Sequence, residues 1–353
     1  MSRRWRVAIG AVAALVLVAV GGVTAAWLYG RSVNADLNRT NAFGAVPDSV
    51  PTGWPSAAPS AAPSIGPRPV EIVANAMNVL LLGSDSRDPA TTAGTRSDTM
   101  MLVHLDADHR HAYVVSIPRD TWVHVPAAAD GRHGNTMAKI NAAYAWGGAP
   151  LAVRTVEAFT GVRIDHVVLI DFAGFQQVVD ALGGVDLTVD QTITSIFPPH
   201  RTFTRGQRHF TGTEALDYVR QRYQFADGDF ARERHQQQFL KALLDKAANM
   251  GTLSDVGKLN AFLRAVTRAV TVDENFDLVD VAMRVRHLRS ADITSLTSPS
   301  AGTGWEGGQS VVRADTARAR ALYEAVRTDT VAQWLATTSA SPAGSASPSP
   351  PAG

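Results

Sequence analysis

The 353-residue chain contains no cysteine. That absence removes disulfide frameworks, thiolate metal sites and cysteine nucleophiles at once. It leaves the compartment open, because an exported chain needs no cysteine. Lysine is scarce as well: only Lys139, Lys241, Lys246 and Lys258 stand among 33 basic residues. With the alanine and valine richness, this arginine excess fits a GC-rich genome, so the position of an arginine informs and the number does not. A formal net charge of +1 and a pI near 8.1 exclude a strongly basic nucleic-acid binder. Also missing are the Gly-x4-Gly-Lys-Ser/Thr phosphate loop, Gly-x-Gly-x-x-Gly, Gly-x-Ser-x-Gly and His-Glu-x-x-His. The ten histidines are scattered without ligand spacing, so no zinc site is expected.

What is present begins with a basic N-terminus at 1–6, carrying Arg3, Arg4 and Arg6, followed by an uncharged run from Val7 to Tyr29. A helix needs about 20 apolar residues to cross a bilayer, and basic residues mark the cytoplasmic side. An uncleaved anchor at 7–29 is the reading adopted, because the apolar run continues through Leu28. A signal peptide cleaved near Val23-Thr24-Ala25 is the alternative. Either way the rest of the chain is expected outside the cytoplasm, behind a Pro/Ser/Ala-rich spacer at 30–76. A similar low-complexity tail covers 336–353. Between them, 77–335 reads as one domain without internal repeats.

Strand and helix patterns alternate inside that domain. Strands are expected at Asn78–Leu82, Thr99–Leu105, Tyr113–Ile117, Ile164–Ile170, Val185–Val189 and Asp292–Leu296. Helices are expected around a Gly147-Gly148 break, at Phe172–Leu182, after the capping-box spacing Thr211…Glu214, and from Asp229 to about Ala248. Two or three further helices are expected after residue 253. This order indicates an α/β fold with a central sheet of mixed direction covered by helices.

Arginines and aspartates concentrate at the ends of these elements, in GSDSR at 83–87, RSDTM at 96–100, SIPRD at 116–120 and YVRQRYQFADGDFARERHQQ at 218–237. Arginine grips phosphate with two parallel donors, and carboxylate oxygens suit hard cations such as Mg²⁺. Asp85 follows a strand in a turn, where binding an anion-bridging metal competes with a plain Asx-turn role. Arg96 and Asp98 are two apart on extended chain and emerge on the same side, as site residues or as a local ion pair. Arg119 follows a strand and Pro118, and Lys139 is one of the few lysines. Arg220 and Arg222 do not share a helix face, so for both to serve one anion the helix must end near Val219. Arg232 and Gln236 do share a face, and a cation in a helix's first turn is favourable only with an anion beside it. Asp229 reads as the N-cap of that helix, and Arg234 and Lys241 as solvated.

The segments LLLGSDSR, RSDTMMLVHLD, SIPRDTWV, KINAAYAWGG, IDHVVLIDFAGFQQVVDALGGVDL, EALDYVRQR and GDFARERHQQQF together resemble the LytR–CpsA–Psr family of the Gram-positive cell envelope, in family order over about half the chain. The resemblance implies a sheet sandwiched by helices with a hydrophobic pocket for a polyprenyl chain. It implies transfer of a glycopolymer from a polyprenyl pyrophosphate carrier to a peptidoglycan hydroxyl, forming a phosphodiester with Mg²⁺, or Mn²⁺ in its place. By motif, Asp85 and Asp98 match the metal-associated aspartates. Arg119, Arg220, Arg222, Arg232 and Gln236 match residues around the pyrophosphate, and Arg96 and Lys139 match further polar site positions. His235 departs from the arginine common there, and should point partly away from the face carrying Arg232 and Gln236. The residues alone leave two rivals, a polyprenyl pyrophosphate hydrolase and a non-catalytic protein that binds anionic lipid intermediates. They also leave the apolar runs Val167–Ile170 and Phe172–Leu182 as ordinary core.

Overall fold

A computed structural model describes Ser32 and residues 34–44, 68–84, 97–226, 228–249 and 256–340. A seven-stranded sheet runs through the molecule in the order β1 (Asn38–Thr40), β12 (Val270–Asp273), β7 (His166–Asp171), β2 (Met77–Ser84), β3 (Ser97–Leu105), β4 (Ala112–Ser116) and β13 (Ile293–Thr297). Its directions are mixed. β2 pairs parallel with β7 and antiparallel with β3, while β4 pairs antiparallel with β3 and parallel with β13. β2 is almost uninterruptedly apolar because helices cover the sheet on both faces.

On one face Leu80, Leu82, Leu102, Val115 and Val167 pack against α1 (Ala142–Thr160) and α7 (Thr316–Arg327). The other face presents Val79, Met101, Val114 and Ile293 to α4 (Asp229–Asn249) and α6 (Leu278–Val285). A second core lies between α4, α3 (Gly212–Val219) and the hairpin of β8 (Val185–Val189) with β11 (Gly206–Phe210). α2 (Phe172–Ala181) and α5 (Val256–Ala269) pack side by side along the margin. Two short sheets, β5 (Trp122–Val125) with β6 (Thr136–Lys139) and β9 (Ile193–Thr194) with β10 (Thr202–Phe203), and the hairpin β14 (Ser300–Glu306) with β15 (Gln309–Ala314), complete the strands. α8 (Val331–Ala340) closes the described chain.

Local chemistry explains several boundaries. α1 is broken at Gly147 and at Gly148, whose φ of 61° favours glycine, and this accommodates Pro150 one turn on. Thr211 and Glu214 form a complete capping box at the start of α3. The hairpin between β3 and β4 closes where Asp106 accepts from the backbone N–H groups of Arg110 and His111.

Three expectations need correction. β1 lies inside the stretch read as spacer; it pairs with β12, and Leu37 and Ala42 beside it are buried. Arg68, also from that stretch, forms an ion pair with buried Glu157 at 2.6 Å. Among the described residues after 253 there are four α-helices and the unforeseen strands β12, β14 and β15, and α8 runs past the boundary drawn at 335. Among the described residues no helix is long and apolar enough to cross a membrane. The expected anchor at 7–29 lies outside the described residues.

Candidate active site

The register Ser84↔Ser97 brings the end of β2 and the start of β3 to one end of the sheet. Asp98 emerges there, and its carboxylate accepts a hydrogen bond from Arg119 Nη1. Arg119 arrives from the loop after β4. Its Nε lies 3.4 Å from Asp229 Oδ2 and 3.9 Å from Asp120 Oδ2. Lys139, at the end of β6, pairs with Asp120 Oδ1 at 3.0 Å. Lys139 therefore reaches the group through Asp120 and does not line the cavity described below.

α3 ends at Val219, with Arg220 as its C-cap, and the chain then leaves the helix. That exit lets two arginines separated by one residue face the same space. Arg220 is held between Phe172 and Phe197, with its guanidinium carbon 4.3 and 4.1 Å from the ring centroids. Arg222 donates to Asp229 Oδ1 at 3.0 Å and to the Tyr223 hydroxyl. One helical turn into α4, Arg232 is only 6% exposed and donates to Asp229 Oδ2 at 3.4 Å.

Asp229 is thus not the expected cap. It is the first residue of α4, and its carboxylate is gripped by Arg119, Arg222 and Arg232. Burial alone would raise its pKa, but those arginines outweigh burial and hold it below the usual carboxylate range. Arg119 shows the converse: burial disfavours its charge, and Asp98, Asp229 and Asp120 more than restore it. Even so, the Nε atoms of Arg119 and Arg232 are buried without a hydrogen-bond partner. Buried donors of that kind are costly unless a ligand satisfies them. Arg119 Nε faces the Asp229 carboxylate at 3.4 Å, and it is the gathering of four guanidiniums at one mouth that suits an anion.

Behind this charged mouth lies a cavity of about 470 Å³ between the sheet, α2, α3 and α4. Asp98, Arg119, Arg220, Arg222, Arg232 and Gln236 ring one end, so Arg232 and Gln236 do share the expected face. The remaining wall is aliphatic and aromatic, including Val168, Ile170, Phe172, Phe175 and Leu243. This corrects the reading of those runs as ordinary core. The pleat of β7 sends Val167 to the core and Val168 to the cavity. Asp85 and Arg96 lie outside the described residues.

A family model described as the LytR_cpsA_psr family matches residues 57–328. The chain belongs to the LytR_cpsA_psr family. Among relatives, the polyisoprenyl-teichoic acid–peptidoglycan teichoic acid transferase TagU of Bacillus cereus is 36% identical over 203 residues, covering 57% of this chain and 63% of TagU. The cell wall biosynthesis protein LcpA of Corynebacterium glutamicum is 30% identical over 294 residues, covering 70% of this chain and 55% of LcpA. The match thus spans less than two thirds of either relative. Among solved structures, B. subtilis TagV superposes with a TM-score of 0.61 at 28% identity, covering 73% of this chain and 99% of TagV. TagT bound to LIIa-WTA gives 0.59 at 26% identity, covering 75% and 97%.

His235 of this LytR_cpsA_psr chain points away from the cavity, as its helical position requires. It is 3% exposed, packed on Tyr218 and Phe225 with ring centroids 4.7 Å away, and its Nε2 lies 3.5 Å from Asp190. Sequence reasoning missed three parts of the site. Asp229 looked like a cap because aspartate before an amphipathic run is the usual cap signal. Phe197 sits in an irregular loop without periodicity, and Asp120 was noticed only as the neighbour of Arg119.

Proposed function

We propose that this chain is a membrane-anchored, Mg²⁺-dependent phosphotransferase that moves a glycopolymer from a polyprenyl pyrophosphate carrier to peptidoglycan. The observation that carries the proposal is the joining of an apolar cavity to a mouth of four arginines. An amphiphile with a long hydrocarbon tail and a dianionic head matches both halves. TagU, named as a transferase of teichoic acid to peptidoglycan, and TagT, solved with LIIa-WTA, support the reading. The uncharged run at 7–29 supports the anchor, with a cytoplasmic N-terminus and the site on the outer side.

In the reaction proposed, an acceptor hydroxyl oxygen attacks the phosphorus that bears the glycan. The new O–P bond forms as the bond to the bridging oxygen breaks, and polyprenyl phosphate leaves. Such transfer needs in-line positioning and neutralisation of spread charge more than a protein nucleophile. Arg220, stacked between two rings, and Arg222, tied to Asp229, are pre-oriented to hold the pyrophosphate oxygens. Arg119 and Arg232, which also line the mouth, complete that cradle. The hydroxyl proton passes to a carboxylate, for which Asp98 at the mouth and Asp85 are the candidates.

The donor chemistry fits a hard cation. Asp98 is one-third exposed and offers carboxylate oxygens at the mouth. Among the described residues no three carboxylates or histidines form a cage by themselves. Asp98, and Asp85 by its place in the matching motif, are the residues proposed to hold the cation. When bound, the cation would neutralise pyrophosphate charge and keep the aspartates from repelling the substrate.

The test supplies the full chain in detergent with a polyprenyl pyrophosphate-linked saccharide, peptidoglycan and Mg²⁺. Mass spectrometry is expected to find a phosphodiester-linked product that disappears with chelator and returns with added Mg²⁺. Phosphate release without a linked product would identify a hydrolase, and tight binding without turnover a scaffold.

A further inference from the structure

The arginine-ringed cavity accounts for a donor and leaves the acceptor without a seat. Trp305, on β14, keeps 68% of its surface in water. Exposing that much indole costs hydrophobic free energy, and tryptophan so placed usually has a partner. Its hairpin ends in a tight turn. Gly307 and Gly308 form a two-residue turn with φ of 54° and 75°, the conformation that matches strand twist. A side-chain carbon at Gly307 would lie 3.3 Å from the Trp122 ring, so this tip rests on a second tryptophan.

The surface leads to the active site. Across β5 and β6, Trp122 sits directly opposite Lys139, on the same face. Lys139 reaches Asp120, and Asp120 lies beside Arg119. The hairpin is also tied to that strand end by its backbone, since Val312 N–H donates to the Asp120 carbonyl at 2.9 Å. Charge decides what kind of ligand fits. Arg313, the cation on this hairpin, is paired with Glu306 at 2.6 Å. The patch therefore offers the exposed indole of Trp305 and, directly opposite it on β15, Ser310, with the hairpin's cation neutralised.

We propose that the β14–β15 hairpin surface around Trp305, seated on Trp122, binds the glycan backbone of the acceptor and delivers a sugar hydroxyl toward Asp98 and Arg119. A pyranose ring presents a face of polarised C–H groups, which meets the negative face of an indole, while its hydroxyls need short polar partners at the rim. A membrane headgroup region would instead favour unpaired cations beside the indole. The word acceptor rests on the transferase reading above; the saccharide-binding surface does not.

The experiment co-sediments the full chain in detergent with purified peptidoglycan sacculi, and in parallel measures binding of polyprenyl pyrophosphate. Trp305→Ala is expected to weaken sacculus binding about fivefold to tenfold and to leave polyprenyl pyrophosphate binding unchanged, with Trp305→Phe restoring most of the loss. Trp122→Ala, which removes the support under the hairpin tip, should also weaken sacculus binding, and circular dichroism checks that it folds. In the transfer assay, Trp305→Ala should raise KM for the peptidoglycan acceptor while KM for the donor stays constant. Sacculus binding equal to wild type in Trp305→Ala would overturn the proposal. So would unchanged sacculus binding together with weaker sedimentation on anionic phospholipid vesicles, which would set the hairpin against a membrane. Trp305-dependent sacculus binding in a protein that transfers nothing would support the surface and overturn the transferase reading alone.

Discussion

Asp229 organises the site by holding three arginines that would otherwise repel one another. It also shows why arginine, and not lysine, occupies these positions. Arg220 uses its flat guanidinium to stack between Phe172 and Phe197, which an ammonium cannot do equally. Arg220→Ala and Arg222→Ala should each cost the roughly 1.5–3 kcal/mol of a charged hydrogen bond, a drop in turnover of about 10- to 150-fold. Arg220→Lys should recover little. Steady-state kinetics with both substrates will test this, and near-normal rates in both alanine variants would remove them from the pyrophosphate. Glu233, next in sequence to Arg232, behaves differently. It is 6% exposed, one carboxyl oxygen lacks a partner, and burial pushes its pKa up to about 7 despite Arg232. A folded-state value above the unfolded 4.5 adds stability that is fully present below pH 4.5 and lost as pH rises toward 7. Glu233→Gln should flatten the stability profile across that window. At pH 8 it should exceed wild type by on the order of 3 kcal/mol in urea unfolding.

At the scale of elements, the decisive event is the end of α3 at Val219. The need for Arg220 and Arg222 to share one anion demanded a stop there, and the helix stops there. Strands β2, β3, β4, β7 and β8 were legible because apolar runs bounded by glycine or polar turns leave few alternatives. β12, β14 and β15 were not, since VTVD and QSVVRA are too short to show a period, and SAGTGWE is rich in small polar residues and glycine. Close packing of α2 was equally invisible. A side-chain carbon at Gly174 would meet the Ala269 carbonyl oxygen at 2.1 Å, so α2 lies directly on the end of α5. Gly174→Ala should push α2 outward and destabilise the fold by about 1–3 kcal/mol. Because α2 carries Phe172 and Phe175 to the cavity, donor binding should weaken in parallel. Unfolding and ligand titration on the same variant measure both effects.

For the whole molecule, the two faces of the sheet have separate duties. One is filled solidly by α1 and α7, and the other leaves about 470 Å³ open beneath α2, α3 and α4. Burying hydrocarbon contributes roughly 0.8 kcal/mol per CH₂, so a single five-carbon unit of a lipid tail supplies about 4 kcal/mol. On the proposed function, affinity for the carrier would belong to the cavity, and the arginines would orient the reacting phosphates. Leu243→Trp, which fills the apolar end, should leave the unfolding midpoint nearly unchanged and weaken binding of polyprenyl pyrophosphate at least tenfold. Retained affinity would mean that the tail lies elsewhere.

The sequence by itself determined which residues carry charge at the ends of elements, the strands β2, β3, β4, β7, β8 and β13, and that Arg232 and Gln236 share a face. These follow from local rules, namely the periods of strand and helix, capping spacing and backbone sterics. Only the tertiary structure decided that Asp229 is a counter-ion, that Lys139 reaches the site through Asp120, and that β7 lines a cavity with alternate residues. Those outcomes depend on which elements meet in space, as when Arg119 of the loop after β4 reaches Asp229 at the start of α4, and no local pattern specifies that meeting.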